Sequence, residues 1–228
     1  MPVAGNFIKS VKKILGNYSP EVILDVGTRD LEESIQLSQA FPSSRIIAFE
    51  PNPKQFQYCY ELSKNYPNIE VHEYACSDEE SIVDFWIVNE NQGASSMLEP
   101  IEINAGWQYG YRSCTWDKIS GIRARRIDNV LCELGVEKVD LVWMDVQGVE
   151  LKALKGMGTY IDHIKMIHAE AALRPYYKGH ILKNELEEWL HQQNFDTEVI
   201  DLQAVIDHPH GESDLVCIKK YLIEAAVK

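Results

Sequence analysis

Short apolar runs alternate with amphipathic stretches along most of this chain, and three of the runs deliver a carboxylate to a turn. Glu21 to Val26 carries Asp25 and meets Gly27. Arg45 to Phe49 runs into Glu50-Pro51-Asn52-Pro53, and Val139 to Met144 runs into Asp145. Further strand-like runs cover Ile69 to Ala75, Ile164 to Ala169, Phe195 to Ile200 and Leu215 to Ile218. Between them, Leu31 to Ala40 reads as a helix with Leu31, Ile35 and Leu37. Lys54 to Asn65 carries Phe56, Tyr60 and Leu62 on one face and is closed by Pro67, and Val149 to Lys155 and Leu182 to Gln192 are also helical. Units of this length in this order imply an α/β, doubly wound, mostly parallel sheet with helices on both faces.

One stretch breaks the rhythm. Ser81 to Val88 has strand character and Ile119 to Ile127 is its expected partner, which makes residues 81–127 a β insertion after the third strand. Within it, Trp107, Tyr109, Tyr111 and Trp116 crowd together. A long insertion at one end of such a sheet is a lid or substrate platform; the alternative is a surface elaboration with its own small core. Residues 1–20 read as an N-terminal helix ahead of a single domain over 21–228. At 26.1 kDa the chain is long enough for one sizeable core.

Charge narrows the partners. Twenty-two bases against 35 acids leave a net charge of −13, which disfavours nucleic acid and an anionic membrane surface, since both are held by Lys and Arg. No run approaches a membrane span, and the N-terminus lacks the apolar core of a signal peptide. Five scattered cysteines with no C-x-x-C pair argue for reduced thiols in a cytoplasmic setting, and against zinc or a disulfide framework. Asp207-His208-Pro209-His210 looks metal-like but reads better as a polar loop.

The turn residues carry the chemistry. Asp25-Val-Gly27-Thr28-Arg29-Asp30 has one glycine where a dinucleotide loop wants three, and it has no P-loop lysine. Its acids suit a ligand with an ammonium or sulfonium group better than a phosphate, and Gly27 permits close approach. The competing reading is a turn glycine with a helix cap. Glu50, at the tip of the second strand, is placed to accept both hydroxyls of a ribose, while Pro51 stiffens the turn and Asn52 caps the next helix. Ser77 and Asp78 end the third strand, where they would meet an adenine or form an ordinary turn. Asp145 is a candidate base, hydroxyl acceptor or partner of a positive centre; otherwise it caps a helix and Glu150 lies on a solvated face.

In this order and spacing, these elements resemble a class I S-adenosylmethionine-dependent methyltransferase, specifically the FkbM family. The likeness runs from about Val22 to Ile218. Its sharpest part is Asp145-Val-Gln-Gly-Val-Glu-Leu-Lys-Ala-Leu-Lys-Gly156, joined by the Phe-Glu-Pro-Asn turn, Gly93-Ala94-Ser95-Ser96 and Ile127-Asp128-Asn129-Val130-Leu131. Two departures stand out: Arg29, Asp30 and Leu31 occupy a stretch where the family often carries glycines, and Gln147 replaces its usual acid.

The resemblance implies a Rossmann-like, seven-stranded sheet and S-adenosyl-L-methionine as cofactor. Asp25, Gly27, Thr28, Arg29 and Asp30 would hold its methionine part, Glu50, Pro51 and Asn52 its ribose, and Ser77 and Asp78 its adenine. Asp145 would face the methyl group. Ser95, Ser96, Trp107, Gln147, Arg174 and Tyr176 are the acceptor-side candidates. An alcohol must lose its proton near the transition state, and Asp145 or His168 is placed to take it, with Glu170 on the same strand face; a satisfied core histidine is the other reading of His168. No ligand spacing demands a metal. The implied reaction is O-methylation of a sugar-containing or natural-product small molecule. N-methylation of a peptide amide or amine, and a non-catalytic binding module, are the rivals.

Overall fold

In chain order the computed structural model has α1 (Gly5–Leu15), β1 (Val22–Val26), α2 (Glu32–Ala40), β2 (Arg45–Phe49), α3 (Pro53–Ser63), β3 (Ile69–His72), β4 (Ala75–Ser77), β5 (Ser81–Val88) and β6 (Trp116–Arg126). Then follow α4 (Ile127–Glu133), β7 (Leu141–Met144), α5 (Glu150–Lys155), β8 (Met166–Ala172), α6 (Lys183–Gln192), β9 (Phe195–Val199), β10 (Glu212–Lys219) and α7 (Lys220–Ala226). The residues described are 4–101, 115–200 and 211–226, so Trp107, Tyr109, Tyr111 and the 207–210 segment lie outside them.

Seven strands form one sheet in the order β3-β2-β1-β7-β8-β10-β9. β10 runs antiparallel to both neighbours, and the remaining pairings are parallel. The strand order reverses between β1 and β7, which opens a crevice at the carboxyl edge where ligands of such sheets bind.

Alternation along the strands builds two cores. Leu24, Val26, Val142, Met144 and Ile167 face α4, α5 and α6 through Ile127, Leu131, Leu154, Leu186 and Leu190. Ile23, Leu141, Trp143 and Met166 face α1, α2 and α3 through Phe7, Val11, Leu37 and Cys59. The strands read as near-continuous apolar runs because both faces are covered.

The insertion after β3 is a second sheet, β4-β6-β5. β5 and β6 pair antiparallel, as the sequence suggested, with a register shift at Val83/Asp84. Ala75, Phe85, Ile122 and Ala124 give it a small core of its own. The expected strand over Ile69 to Ala75 is split instead: the chain leaves the main sheet at His72 and re-enters the small one at Ala75. β8 runs on to Ala172 and β10 starts at Glu212, both beyond their apolar stretches, and α7 had no counterpart in the sequence reading.

Candidate active site

Strand register sets the site's floor. Gly27 follows β1 and Asp145 follows β7, one step beyond the Val26–Met144 pair, and the amide of Asp145 donates to the Val26 carbonyl at 3.0 Å. Asp145 is likewise one step beyond the Met144–Ala169 pair, opposite Glu170, and Glu170 pairs with Asp214 of β10. With a two-residue side-chain period, Asp145, Glu170 and Asp214 therefore form a row across three adjacent strands on one face. Trp143 and His168 form the row beneath.

Burial and crowding shape the charges in this row. Burial pushes the Asp145 carboxyl up. Burial and the charge of Asp145 hold Glu170 well above the ordinary carboxylate range. Glu212, one alternation further along β10, is raised to about 8 by burial and by Asp145. Gln147 spans the pair. Its side-chain amide donates to Asp145 Oδ1 at 2.8 Å and to Glu170 Oε2. Two carboxylates ask for a donor, so glutamine in place of the family's acid supplies an N–H₂ where another acid would add repulsion. Gln147 takes a left-handed φ of 52° to reach this position.

His168 is buried and stacks on Trp143 with ring centroids 3.5 Å apart, and Phe7 of α1 presses edge-on against both rings. Its Nε2 lies 3.1 Å from Asp214 Oδ1, while Nδ1 has no hydrogen-bond partner. The satisfied-histidine reading thus accounts for one nitrogen only. Glu150 is buried rather than solvated: it accepts the amides of Val146 and Gly148, and burial raises it to about 7.

At β1, Gly27 has φ +91°, and a Cβ there would stand 1.9 Å from the Asp145 carbonyl oxygen. Only glycine lets the two strand ends close up. Arg29 and Leu31 hold left-handed φ of 50° and 67° without being glycine. The turn is fixed by Glu50, whose Oε2 accepts the Arg29 amide at 2.9 Å and whose Oε1 accepts the Asn52 amide at 2.8 Å. Burial raises Glu50 to about 8 and Asp25 to about 6. Asp25 Oδ2 accepts from Thr28 and Ser34, while Oδ1 is buried without a partner. Asn52 caps α3 as expected, accepting the Lys54 amide at 3.1 Å.

A cavity of about 220 Å³ runs along this edge. It brings together Gly27, Arg29, Glu50, Pro51, Asn52, Ser95, Asp145, His168 and Glu170 from the sequence candidates, and adds Glu33, Tyr74, Cys76, Phe85, Met97, Trp143 and Asp214. Five carboxylates face one guanidinium there, that of Arg29, which Asp30 pairs at 2.8 Å. Several candidates stand behind the wall. Asp25 and Thr28 bond to each other beneath the loop. Asp30 bonds Arg29 and the Glu32 amide. Ser96 Oγ donates to the Gln147 carbonyl at 2.8 Å. Tyr176 packs with Ala172 and Tyr177, and Arg174 lies over the Tyr176 ring. Ser77 Oγ donates to Asp78 Oδ1 at 3.2 Å and neither residue lines the cavity, whereas Tyr74, Ala75, Cys76 and Phe85 do. The split of the third strand moves the lining back by two residues. Trp107 is outside the described residues.

The sequence profile described as the methyltransferase FkbM domain matches residues 25–197. The chain belongs to the FkbM methyltransferase family. It is 28% identical over 166 residues to the 2-O-methyltransferase NoeI of Sinorhizobium fredii (strain NBRC 101917 / NGR234), covering 70% of this chain and 67% of that protein. It is also 29% identical over 160 residues to the AMB antimetabolite synthetase AmbE of Pseudomonas aeruginosa, covering 60% of this chain and 8% of that much longer protein. In fold it is similar to the bifunctional kinase-methyltransferase WbdD, with a TM-score of 0.51 at 14% identity, covering 94% of this chain and 38% of that one. This FkbM-family member is an S-adenosylmethionine-dependent methyltransferase with the Rossmann-like sheet the resemblance implied. Among the described residues, no helix is long and apolar enough to cross a membrane, and no three His, Cys, Asp or Glu side chains are placed so that they could hold a metal ion.

Proposed function

We propose that this methyltransferase transfers a methyl group to a hydroxyl of a sugar-containing or natural-product small molecule, in a cytoplasmic setting. The observation that carries the reading is the single cavity wall that leads from Glu50 and Asn52 past Gly27 to Asp145, Glu170 and His168. The sugar-directed part rests on the similarity to NoeI, a 2-O-methyltransferase.

The residues present suit the methyl donor. The buried Oδ1 of Asp25 lacks a partner, Gly27 leaves a cradle that a Cβ would fill, and the wall is acidic rather than basic. When bound, S-adenosylmethionine supplies an electrophilic methyl on a positively charged sulfur. Glu50 would accept the ribose hydroxyls through lone pairs left over from its two amide contacts. Tyr74, Ala75, Cys76 and Phe85 would flank the adenine, Gly27 and Arg29 the methionine part, and Asp145 the methyl. Ser95 and the small sheet would wall the acceptor side and exclude water. Asp145, Glu170 and His168 offer acceptors for the hydroxyl proton.

Incubation with methyl-labelled S-adenosylmethionine and parallel panels of glycans, polyols and amines tests this. Label is expected in hydroxyl acceptors, lost in Asp145→Asn while S-adenosylhomocysteine still binds. Label confined to amines would replace O- by N-methylation, and no donor binding at all would leave the non-catalytic module.

A further inference from the structure

The carboxylate row gathers acidic side chains from three adjacent strands on one cavity wall. Glu170 is faced by Asp145 from β7, Asp214 and Glu212 from β10, Glu150 from the start of α5, and His168 from its own strand; Arg174 offsets Glu212 from the loop after β8. The row lines the cavity half-buried, with the Asp214 side chain 42% exposed, and Gln147 ties two of its members together. On the same cavity wall, His168 Nδ1 is fully enclosed and unpartnered. Its Nε2 lies 3.1 Å from Asp214 Oδ1. The wall thus gathers carboxylates from β7, β8 and β10, with Arg174 the cation that offsets Glu212.

We propose that Asp145 and Glu170, with Glu212 beside them, act as one proton-holding unit: they release a proton when the sulfonium of the methyl donor binds and receive the acceptor's proton when the positive charge leaves sulfur. This rests on the O-methyltransferase reading. Like charges this close resist ionising together, and Asp145 and Glu170 are held against one Gln147 amide, so the row retains a proton until an opposite charge arrives. A sulfonium beside Asp145 supplies that charge. In the transfer, an oxygen lone pair of the acceptor forms the C–O bond and the S–CH₃ bond breaks with its electron pair remaining on sulfur. The O–H proton passes to a carboxylate oxygen of the row, with Glu170 as the member closest to neutrality. Atoms and charge balance: the positive charge that leaves sulfur reappears as the proton on the row. Asp214 also acts as a positioning residue, since its Oδ1 lies 3.1 Å from His168 Nε2.

The two adenosyl ligands separate this from simple donor binding. S-adenosylmethionine and S-adenosylhomocysteine share their ribose, adenine and amino-acid groups and differ in the sulfonium methyl. Calorimetric titration of the full chain with each, at pH 7 in two buffers of different ionisation enthalpy, counts the protons released. The sulfonium ligand is expected to release more, by a difference approaching about one proton, so that its affinity relative to the thioether rises with pH by up to about tenfold per unit. Glu170→Gln should remove most of the difference and Asp214→Asn part of it, with thioether affinity retained. Equal proton counts in the wild type, or a difference undiminished in Glu170→Gln, would overturn the proposal while leaving the donor site standing. Absence of binding by both ligands would sink the donor site and the proposal with it.

Discussion

Replacing Gly27 by alanine asks two strand ends to separate, because the new Cβ would sit 1.9 Å from the Asp145 carbonyl oxygen at a φ of +91°. Backbone, not a flexible side chain, is in the way. Gly27→Ala should therefore lower stability by at least ~2 kcal/mol and abolish S-adenosylhomocysteine binding, measured by thermal melting and calorimetry. Glu50 has a different dependence. Both its oxygens anchor backbone amides, at Arg29 and Asn52, so Glu50→Ala loses the turn as well as the proposed ribose acceptor. Glu50→Gln puts an N–H₂ where one of the amides must be accepted. We expect both to weaken S-adenosylhomocysteine by at least about tenfold, or ~1.4 kcal/mol; unchanged affinity in both would show that the ribose is held elsewhere. Gln147→Glu, which restores the family's acid, would bring another carboxyl against Asp145 and Glu170. Its expected signature is a fall in stability between pH 7 and pH 9 steeper than that of the wild type.

At the scale of elements, β1, β2 and β7 were legible because each is an apolar run closed by an acid and a glycine or proline, and the acids that mark them are the ones that line or underlie the cavity. Two features hid the rest. The antiparallel β10 presents its beginning, not its end, at the carboxyl edge, so Asp214 and Glu212 read in sequence as a polar approach to the Leu215–Ile218 core. The split of β3 at His72 leaves Ser77 and Asp78 off the cavity and Tyr74–Cys76 on it, and nothing in the spacing of Ile69 to Ala75 signals the change of sheet. The left-handed turn at Arg29 and Leu31 was likewise invisible, since its hold comes from Glu50, 21 residues on. Helix α1 is the other surprise in role. Phe7 is fully buried with its ring edge on Trp143 and His168, so the N-terminal helix backs the floor of the site. Phe7→Ala should cost about 3–5 kcal/mol of stability. It should also loosen the His168–Trp143 stack, read as a changed Trp fluorescence at temperatures where the variant remains folded. A loss well below that range would mean the helix merely rests on the sheet.

For the whole molecule, the net charge of −13 meets a buried set of carboxyls whose affinity for protons exceeds that of the unfolded chain. Burial raises Asp25 to about 6, Glu150 to about 7, and Glu33, Glu50 and Glu212 to about 8. An acid whose folded pKa lies above its unfolded value binds more protons when folded. Its stabilising contribution is complete below the unfolded value near 4 and is lost as pH rises through the folded one. Unfolding should therefore become easier from about pH 5 to pH 9. His180 works at the opposite end. It is buried against Gly148, whose absent Cβ would lie 2.7 Å from the ring, and its Nδ1 accepts the Tyr176 amide, so burial lowers it to about 4. For a histidine depressed from about 6.5, the unfolded state binds the extra proton, and stability falls as pH drops from about 6.5 toward 4, by on the order of 2–3 kcal/mol at most. Together these place the stability maximum on the acid side of neutrality, near pH 5–6, with the alkaline slope set by the acids. Thermal unfolding across pH 4–9 tests the balance. In His180→Asn, the acid limb should flatten while the alkaline limb persists. Saturating S-adenosylmethionine should flatten the alkaline limb more than S-adenosylhomocysteine does, because its sulfonium is the one positive charge the thioether lacks; a wild-type optimum above pH 8 would mean that the buried carboxyls are ionised at little cost and that the acidic wall is far better solvated than its burial implies.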